Sequence, residues 1–191
     1  MNFDLARSIR KFKPQGRVAA LARRPENELP FASGKTTGSA ELLLDTCVYI
    51  DNLQDRLPGA VDDLLATRLS NHSGVALSEL THLFGRLDPR DTRTDVALAK
   101  IRTAISTIPS HRLTSPSVQV LGEAGILAGL VARLTGIDSG RRQALLNDAV
   151  LFLQALEQGQ TLLTRNIGEF DWFDQLLPTG RVLFYRTIER P

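Results

Sequence analysis

One stretch decides the fold of this chain: Glu41-Leu42-Leu43-Leu44-Asp45-Thr46-Cys47-Val48-Tyr49-Ile50-Asp51. A short apolar run ends at the carboxylate of Asp45, and the apolar residues that follow recur near helical spacing. This pattern predicts a buried strand followed by a helix. In open α/β sheets, ligands bind outside the carboxyl ends of the strands, which is where Asp45 is expected to lie. The alternative role for Asp45 is to cap the helix, because Asp is a favourable N-cap residue.

Strand and helix patterns alternate along the rest of the chain. Short apolar runs predict strands at residues 75–77, 161–164 and 182–185, and Ser78 is expected to cap the helix that follows the first of them. Further helices are predicted at residues 60–69, 96–108, 117–134 and 145–156, with a connector at 109–116 and a loop at 165–170. This alternation predicts a parallel sheet with helices on both faces.

The composition is typical of one globular domain. The chain has 191 residues, of which 42% are hydrophobic and 23% charged, which is enough for a full core. We find no run that approaches the roughly 18 apolar residues of a membrane span, and no secretory signal at the N-terminus. The single cysteine, Cys47, excludes an intramolecular disulfide and is expected to pack as a small apolar residue. We therefore expect a cytoplasmic protein with no membrane partner.

Residues 1–40 differ from the rest of the chain. They carry eight basic and three acidic residues, a net charge of +5, whereas the remainder carries −3. Prolines and glycines interrupt this region, so we predict a basic N-terminal extension and linker at 1–40 and a folded domain at 41–191. The Gly-Lys-Thr at positions 34–36 is not a phosphate-binding loop, because that motif needs a glycine where Leu29 stands.

Acidic side chains follow several of the predicted strands. Asp45 ends the first strand, Glu79 is expected in the first turn of the helix after the second, and Asn166 follows Thr164. Asp148 begins an apolar helix, where burial without a partner costs several kcal/mol; the alternative is an exposed first-turn acid stabilised by the helix dipole. Carboxylates that converge repel one another, and a hard divalent cation such as Mg²⁺ or Mn²⁺ relieves that repulsion.

Four motifs, in order and in context, resemble one known family. They are Leu-Leu-Leu-Asp45-Thr-Cys-Val-Tyr-Ile-Asp51, Ser78-Glu79-Leu80, Asn147-Asp148-Ala149, and Thr164-Arg165-Asn166 with Phe170 downstream. Over residues 41 to about 186 the chain resembles the PIN domain, and most closely the toxin ribonucleases of the VapC type from bacterial toxin–antitoxin pairs. The resemblance implies an α/β fold, a PIN-like α/β/α sandwich whose short parallel sheet of four to five strands is flanked by helices.

The resemblance also implies an activity and a set of site residues. It implies a Mg²⁺- or Mn²⁺-dependent endoribonuclease in which Asp45, Glu79 and Asp148 bind the metal. Asn166 falls where many members have a fourth Asp, so the catalytic set would be Asp45, Glu79, Asp148 and Asn166. Thr164 is expected to hydrogen-bond near the site. The implied partners are an RNA substrate, a cognate antitoxin protein and a second copy of the chain, which would dimerise through helices beside the active-site edge.

Two arginines are candidate substrate contacts. Arg86 and Arg165 could each bind a phosphate of the RNA, and a surface salt bridge is the alternative for each. The basic extension departs from the family pattern, since such toxins usually begin near the first strand. It has three candidate roles: a disordered tail, a helix that packs Phe3, Ile9 and Phe12, or an extension of the RNA-binding surface.

Rival families fit the sequence less well. A haloacid-dehalogenase-type phosphatase needs a second Asp where Cys47 stands, and a receiver domain needs a Lys near its last strand, whereas the only Lys beyond residue 35 is Lys100. A catalytically degenerate PIN-like module for RNA binding or interaction is the non-enzyme alternative. Such a module would be expected to lack the core acids; since Asp45, Glu79 and Asp148 are all present, we favour the enzyme.

Overall fold

A five-stranded, all-parallel sheet forms the centre of the molecule. The structure is a computed structural model, and it describes residues 3–33, 40–178 and 181–189; the predicted linker at 34–39 lies outside them. The strands are β1 (Leu42–Leu44), β2 (Ser70–Ser73), β3 (Leu113–Thr114), β4 (Thr161–Thr164) and β5 (Val182–Phe184). Their order across the sheet is β3-β2-β1-β4-β5, so the strand that precedes Asp45 is central.

Helices cover both faces of this sheet. They are α1 (Leu5–Phe12), α2 (Thr46–Leu53), α3 (Gly59–Thr67), α4 (Gly74–Arg86), α5 (Thr94–Ser106), α6 (Val118–Thr135), α7 (Arg142–Glu157) and α8 (Ile167–Leu176). Helix α6 agrees with the helix predicted at 117–134: the Ser117 side chain accepts a hydrogen bond from the Val120 amide at its start, and Gly136 closes it at φ 67°. That left-handed conformation favours glycine, which has no Cβ to clash.

Side chains of β1, β4 and β5 alternate between two hydrophobic cores. Leu43 packs into a core with α6, α7 and α8, whereas Leu42 and Leu44 pack into a second core with α2, α3, α4 and α5. Leu162 and Leu163 of β4 divide in the same way. Successive side chains of a strand point to opposite faces, so a run of leucines in a buried parallel strand supports both layers. The predicted PIN-like α/β/α sandwich with a short parallel sheet is confirmed.

The position of the second strand was predicted wrongly. The strand is Ser70–Ser73, not 75–77, and the Ser73 side chain caps α4 by accepting a hydrogen bond from the Val75 amide, so the cap is not Ser78. Glu79 consequently lies in the second turn of α4, not the first. The apolar pattern failed because this strand is polar and buried. Its polar groups are satisfied by specific partners: Ser73 Oγ donates to Gln154 Oε1 at 2.7 Å.

Three further boundaries differ from the sequence predictions. The predicted connector at 109–116 contains β3, an edge strand of two residues that pairs with β2 through His72 and Ser73. Helix α7 begins at Arg142, so Asp148 lies in its second turn and is partly buried. The exposed first-turn alternative for Asp148 is therefore wrong. Helix α8 begins at Ile167 and occupies most of the segment that we predicted to be a loop.

The described part of the N-terminal extension packs against the domain. Phe12 of α1 is buried in the core with α6, and Lys11 Nζ lies 2.5 Å from Glu123 Oε2, whereas Ile9 remains 38% exposed. Farther along, Ala32 donates its amide to Phe184 O at 2.7 Å, beside a parallel bridge between Phe31 and Phe184. The extension therefore reaches from α6 to the β5 edge of the sheet.

Helix α6 is long and apolar enough to cross a membrane by length and composition alone. In the described structure it is a core helix: Leu127, Val131 and Ala124 are fully buried against the rest of the domain. Its one acidic residue, Glu123, is paired with Lys11 of α1.

Candidate active site

Asp45 lies at the carboxyl end of the central strand and is 5% exposed. It occupies the N-cap position of α2, but its side chain makes no capping hydrogen bond. Instead, Asp45 Oδ2 accepts hydrogen bonds from Thr164 Oγ1 at 2.5 Å and from Cys47 Sγ at 3.1 Å. Thr164 of the neighbouring strand β4 therefore positions this carboxylate. The side chain of Asp45 does not cap α2, as the alternative prediction proposed.

Glu79 and Asp148 are held by amides and a hydroxyl. Glu79 Oε2 accepts a hydrogen bond from Thr46 Oγ1 at 2.5 Å, and Glu79 Oε1 accepts one from Asn147 Nδ2 at 2.8 Å. Asp148 Oδ2 accepts one from Asn166 Nδ2 at 3.1 Å. None of these donors is charged, so the bonds orient the two acids without neutralising them.

The acids affect one another electrostatically. Burial is the largest cause that raises the pKa of the Asp148 carboxyl, and together with the charges of Asp45, Glu169 and Glu79, against the opposing effect of Arg141, it brings that pKa to about 9. Burial likewise raises the pKa of Asp45, with the charge of Glu79 adding to the effect and the Thr164 hydrogen bond opposing it. A pKa raised by burial together with like charges marks a place where negative charge has been brought together without enough positive charge.

The side chains suit a hard divalent cation by their chemistry. Mg²⁺ and Mn²⁺ prefer carboxylate, carbonyl and water oxygens, and the candidate ligands are the carboxylates of Asp45, Glu79 and Asp148. Among residues 3–33, 40–178 and 181–189, however, no three His, Cys, Asp or Glu side chains are arranged closely enough to hold a metal ion. Coordination by all three acids therefore requires a side chain to move, and in the described part of the chain the Glu79 carboxylate is held by its hydrogen bonds to Thr46 and Asn147.

The remaining predicted site residues fall into two groups. Thr164 and Asn166 lie among the acids: Thr164 Oγ1 donates to Asp45 and accepts from the Asn166 amide at 2.9 Å, and Asn166 then bonds to Asp148. Arg165 projects beside them and is 43% exposed. Arg86 is the exposed last residue of α4, about 10 Å along the helix axis from Glu79 by the helical rise. No described contact joins it to the acids.

Several residues of this region were missed by sequence reasoning. Asp51 closes the stretch quoted at the outset, and it is fully buried where it accepts hydrogen bonds from Arg165 Nε at 2.7 Å and Tyr185 Oη at 2.8 Å. Its spacing from Val48, on the buried side of α2, was the available signal. Glu169 is 3% exposed and pairs with Arg141 at 2.6 Å, and no sequence pattern distinguishes it from a surface acid.

Cys47 is a packing residue rather than a nucleophile. Burial raises the pKa of its thiol, and the neighbouring charge of Asp45 raises it further. Since the thiolate is the nucleophilic form, such a thiol is unreactive at neutral pH.

Comparison with known proteins relates this chain to a group of solved structures. No family model matches the sequence, and no curated protein matches it significantly. Its structure is similar to VapBC2 from Rickettsia felis bound to a DNA fragment from their promoter, with a TM-score of 0.53 and 17% identity over 76% of this chain and 98% of that one. It is similar to FitAcB from Neisseria gonorrhoeae, with a TM-score of 0.54 and 18% identity over 75% and 96%. It is also similar to DNA-bound VapBC from Salmonella typhimurium, with a TM-score of 0.51 and 20% identity over 75% and 96%. At these identities the likeness establishes the fold.

Proposed function

We propose that this protein is a metal-dependent endoribonuclease and the toxin of a toxin–antitoxin pair. The observation that carries the proposal is that Asp45, Glu79 and Asp148, which come from three separate elements, lie near enough for their charges to raise the pKa values of Asp45 and Asp148. The raised pKa of Asp148, about 9, reflects burial and the charges of the neighbouring carboxylates. A bound cation would stabilise a site with surplus negative charge. Acids with strongly shifted pKa values are typical of functional sites.

Each residue has a stated role in this proposal. Asp45, Glu79 and Asp148 would hold Mg²⁺ or Mn²⁺, which when bound polarises a phosphoryl oxygen and activates the attacking water. Thr164 orients Asp45 by its 2.5 Å hydrogen bond, and Asn166 orients Asp148. Asn166 contributes no charge, so the proposed metal ligands include three carboxylates. Glu169 is not counted among them, because it forms a salt bridge with Arg141. The substrate would be RNA, whose phosphodiester bond is cleaved by water.

Cleavage of synthetic RNA tests this proposal. The wild-type protein should cleave RNA with Mg²⁺ or Mn²⁺ and stop when the metal is chelated. Asp45→Asn should lower the rate by more than roughly 100-fold, since even the outer-shell partners of metal ligands contribute about 10- to 100-fold. Asp63→Asn removes an exposed carboxylate of α3 and should leave the rate unchanged. Full activity of Asp45→Asn would refute the assignment.

A cognate antitoxin is the proposed protein partner. The acidic cluster offers an Arg or Lys of such a partner a charge-assisted hydrogen bond, and insertion of that side chain would block the site. The fold is also that of the VapBC and FitAcB structures described above. We further propose a cytoplasmic homodimer formed through helices beside the active-site edge.

Co-expression with the product of the adjacent gene tests the pairing. A cognate antitoxin should copurify with the toxin and relieve growth arrest, and light scattering of the purified protein should give the mass of a dimer. An adjacent gene product that neither copurifies nor relieves growth arrest would count against the pairing.

A degenerate PIN-like module that binds RNA or a partner is the second candidate. The observation that favours it is the absence, within the described ranges, of three acids arranged to hold a metal as they stand. This candidate predicts that RNA binds with equal affinity with and without Mg²⁺ and is not cleaved. The cleavage assay above therefore separates the two functions.

A further inference from the structure

A cleft rich in arginine lies directly beside the acids. Its volume is about 550 Å³, within the roughly 300–1,000 Å³ typical of ligand clefts. Its wall includes Cys47 and Asn166, which hydrogen-bond to Asp45 and Asp148 respectively. Two carboxylates, Glu26 and Glu169, also line it, against five arginines: Arg23, Arg24, Arg141, Arg165 and Arg186. The cleft thus brings several guanidinium groups next to the acids.

Most of these arginines are paired. Arg24 bonds to Asp171 and Asp174, Arg141 to Glu169, Arg165 to Asp51, and Arg186 to Glu26. The partner carboxylates largely compensate the charges of these four arginines, which line the walls of the cleft.

Arg23 differs from the others. It is exposed, and among the described residues it has no carboxylate partner. Its guanidinium lies 5.1 Å from the ring centroid of Trp172, a distance that gives a cation–π attraction. One of its nitrogens would lie only 2.9 Å from a Cβ added to Gly168. Two neighbours on α8 therefore position a guanidinium whose hydrogen-bonding groups are available to a ligand.

The surroundings of Arg23 favour a phosphate. Gly168 lies in the first turn of α8, whose N-cap residue Asn166 makes no side-chain capping bond. The amino end of a helix carries partial positive charge and free amides that favour anions. Across the same cleft, Arg165 is fixed by Asp51 and remains 43% exposed. A planar guanidinium matches phosphate oxygens with two parallel hydrogen bonds, which a lysine cannot do.

We propose that this cleft binds a backbone phosphate of single-stranded RNA next to the phosphate that is cleaved, with Arg23 of the N-terminal extension as its principal contact. The inference rests on the proposed function, since it extends the path of the substrate strand away from the acids. A polyanion approaching an acidic centre is repelled unless basic groups flank that centre. In this protein the N-terminal extension supplies such a basic group, Arg23. The extension would therefore contribute to substrate binding, although it lies outside the domain at 41–191.

Salt-dependent binding tests the assignment. The parent is the Asp45→Asn protein, and the probe is a fluorescein-labelled single-stranded oligouridylate, whose dissociation constant is measured by anisotropy over a range of NaCl concentrations. Each phosphate contact contributes about 0.7 to the slope of log affinity against log salt. Adding Arg23→Ala should lower the slope by about 0.7 and weaken binding about three- to tenfold. The control is Arg10→Ala, which removes the same charge from an exposed position on α1. It should change neither the slope nor the affinity.

A second variant displaces Arg23 without changing any charge. The Cβ of Gly168→Ala would meet the guanidinium at 2.9 Å, so the arginine must move, while alanine is well tolerated in a helix. Weaker binding is expected here too, and a thermal unfolding midpoint no lower than that of the parent would show that the fold is retained.

The outcomes separate the two proposals. If the wild type cleaves RNA and the parent binds the probe, but Arg23→Ala behaves like Arg10→Ala, the phosphate subsite is refuted and the nuclease stands. If the wild type cleaves no RNA and the parent does not bind the probe, both proposals fall. If Arg23→Ala leaves RNA binding intact but prevents association with the antitoxin, the cleft receives an acidic protein segment and the RNA assignment is overturned.

Discussion

Replacing Asp148 with asparagine is expected to stabilise the metal-free protein at neutral pH. The pKa of this carboxyl rises from 3.8, its ordinary value, to about 9 in the folded protein because the group is buried beside other acids. At pH 7 the unfolded chain is therefore ionised at Asp148 and the folded chain is not. A group with a raised folded pKa contributes its full stability only below its unfolded pKa, and that contribution is lost progressively as pH rises towards the folded pKa.

The magnitude follows from the interval between pH 3.8 and pH 7. At about 1.4 kcal/mol per pH unit, the ionisable group lowers the free energy of unfolding at pH 7 by up to about 4 kcal/mol. Asp148→Asn avoids this loss and keeps an oxygen that can accept the Asn166 bond. For a chain of this length 1 kcal/mol corresponds to about 2–4 °C, so the midpoint should rise by up to about 8–16 °C.

Thermal unfolding in a metal chelator at pH 4, 7 and 9 tests this expectation. The gain should be large at pH 7, larger at pH 9 and smallest at pH 4, close to the ordinary pKa of 3.8, where the folded chain is protonated at Asp148 and the unfolded chain is partly protonated there. Asp63→Asn, on the exposed face of α3, should give no such trend. In addition, Mg²⁺ at 100 times its dissociation constant should stabilise the wild type by about 2.7 kcal/mol and the variant by much less. A gain that is the same at pH 4 and pH 9, or no gain at all, would refute the reasoning.

Three other predictions concern packing around the site. Phe12→Ala is expected to cost about 3–5 kcal/mol and to expose the extension to trypsin, whereas the half-exposed Ile9→Ala should not; equal resistance of both variants would contradict the packing described. Cys47 should react slowly with iodoacetamide at pH 8 until the protein is unfolded, since burial raises the pKa of its thiol; rapid native-state alkylation would count against this. Asp51→Asn should cost about 1.5–3 kcal/mol in urea unfolding, because it removes the charged acceptor of Arg165; an unchanged midpoint would mean that this pair contributes nothing.

Local patterns predicted the elements whose side chains are apolar and uniform. The leucines of β1 and β4 predicted strands that the structure contains, and the helix predicted at 117–134 matches α6 closely. The same reasoning misplaced β2, because that strand buries Asn71, His72 and Ser73. Buried polar residues are stable only with specific partners, and those partners lie far away in sequence. Gln154, which accepts a hydrogen bond from Ser73, is 81 positions later.

The sequence by itself determined the fold class and placed Asp45 and Asn166 at one edge of the sheet, because residues that follow the strands of a parallel sheet share that edge whatever the exact packing. Only the tertiary structure decided the electrostatics of the site. The pKa of Asp148 depends on burial and on charges from three other elements, and the position of Arg23 depends on Trp172 and Gly168, nearly 150 residues away along the chain. Such energies fall off with distance in space and with the surrounding dielectric, and neither quantity can be read from separation along the chain.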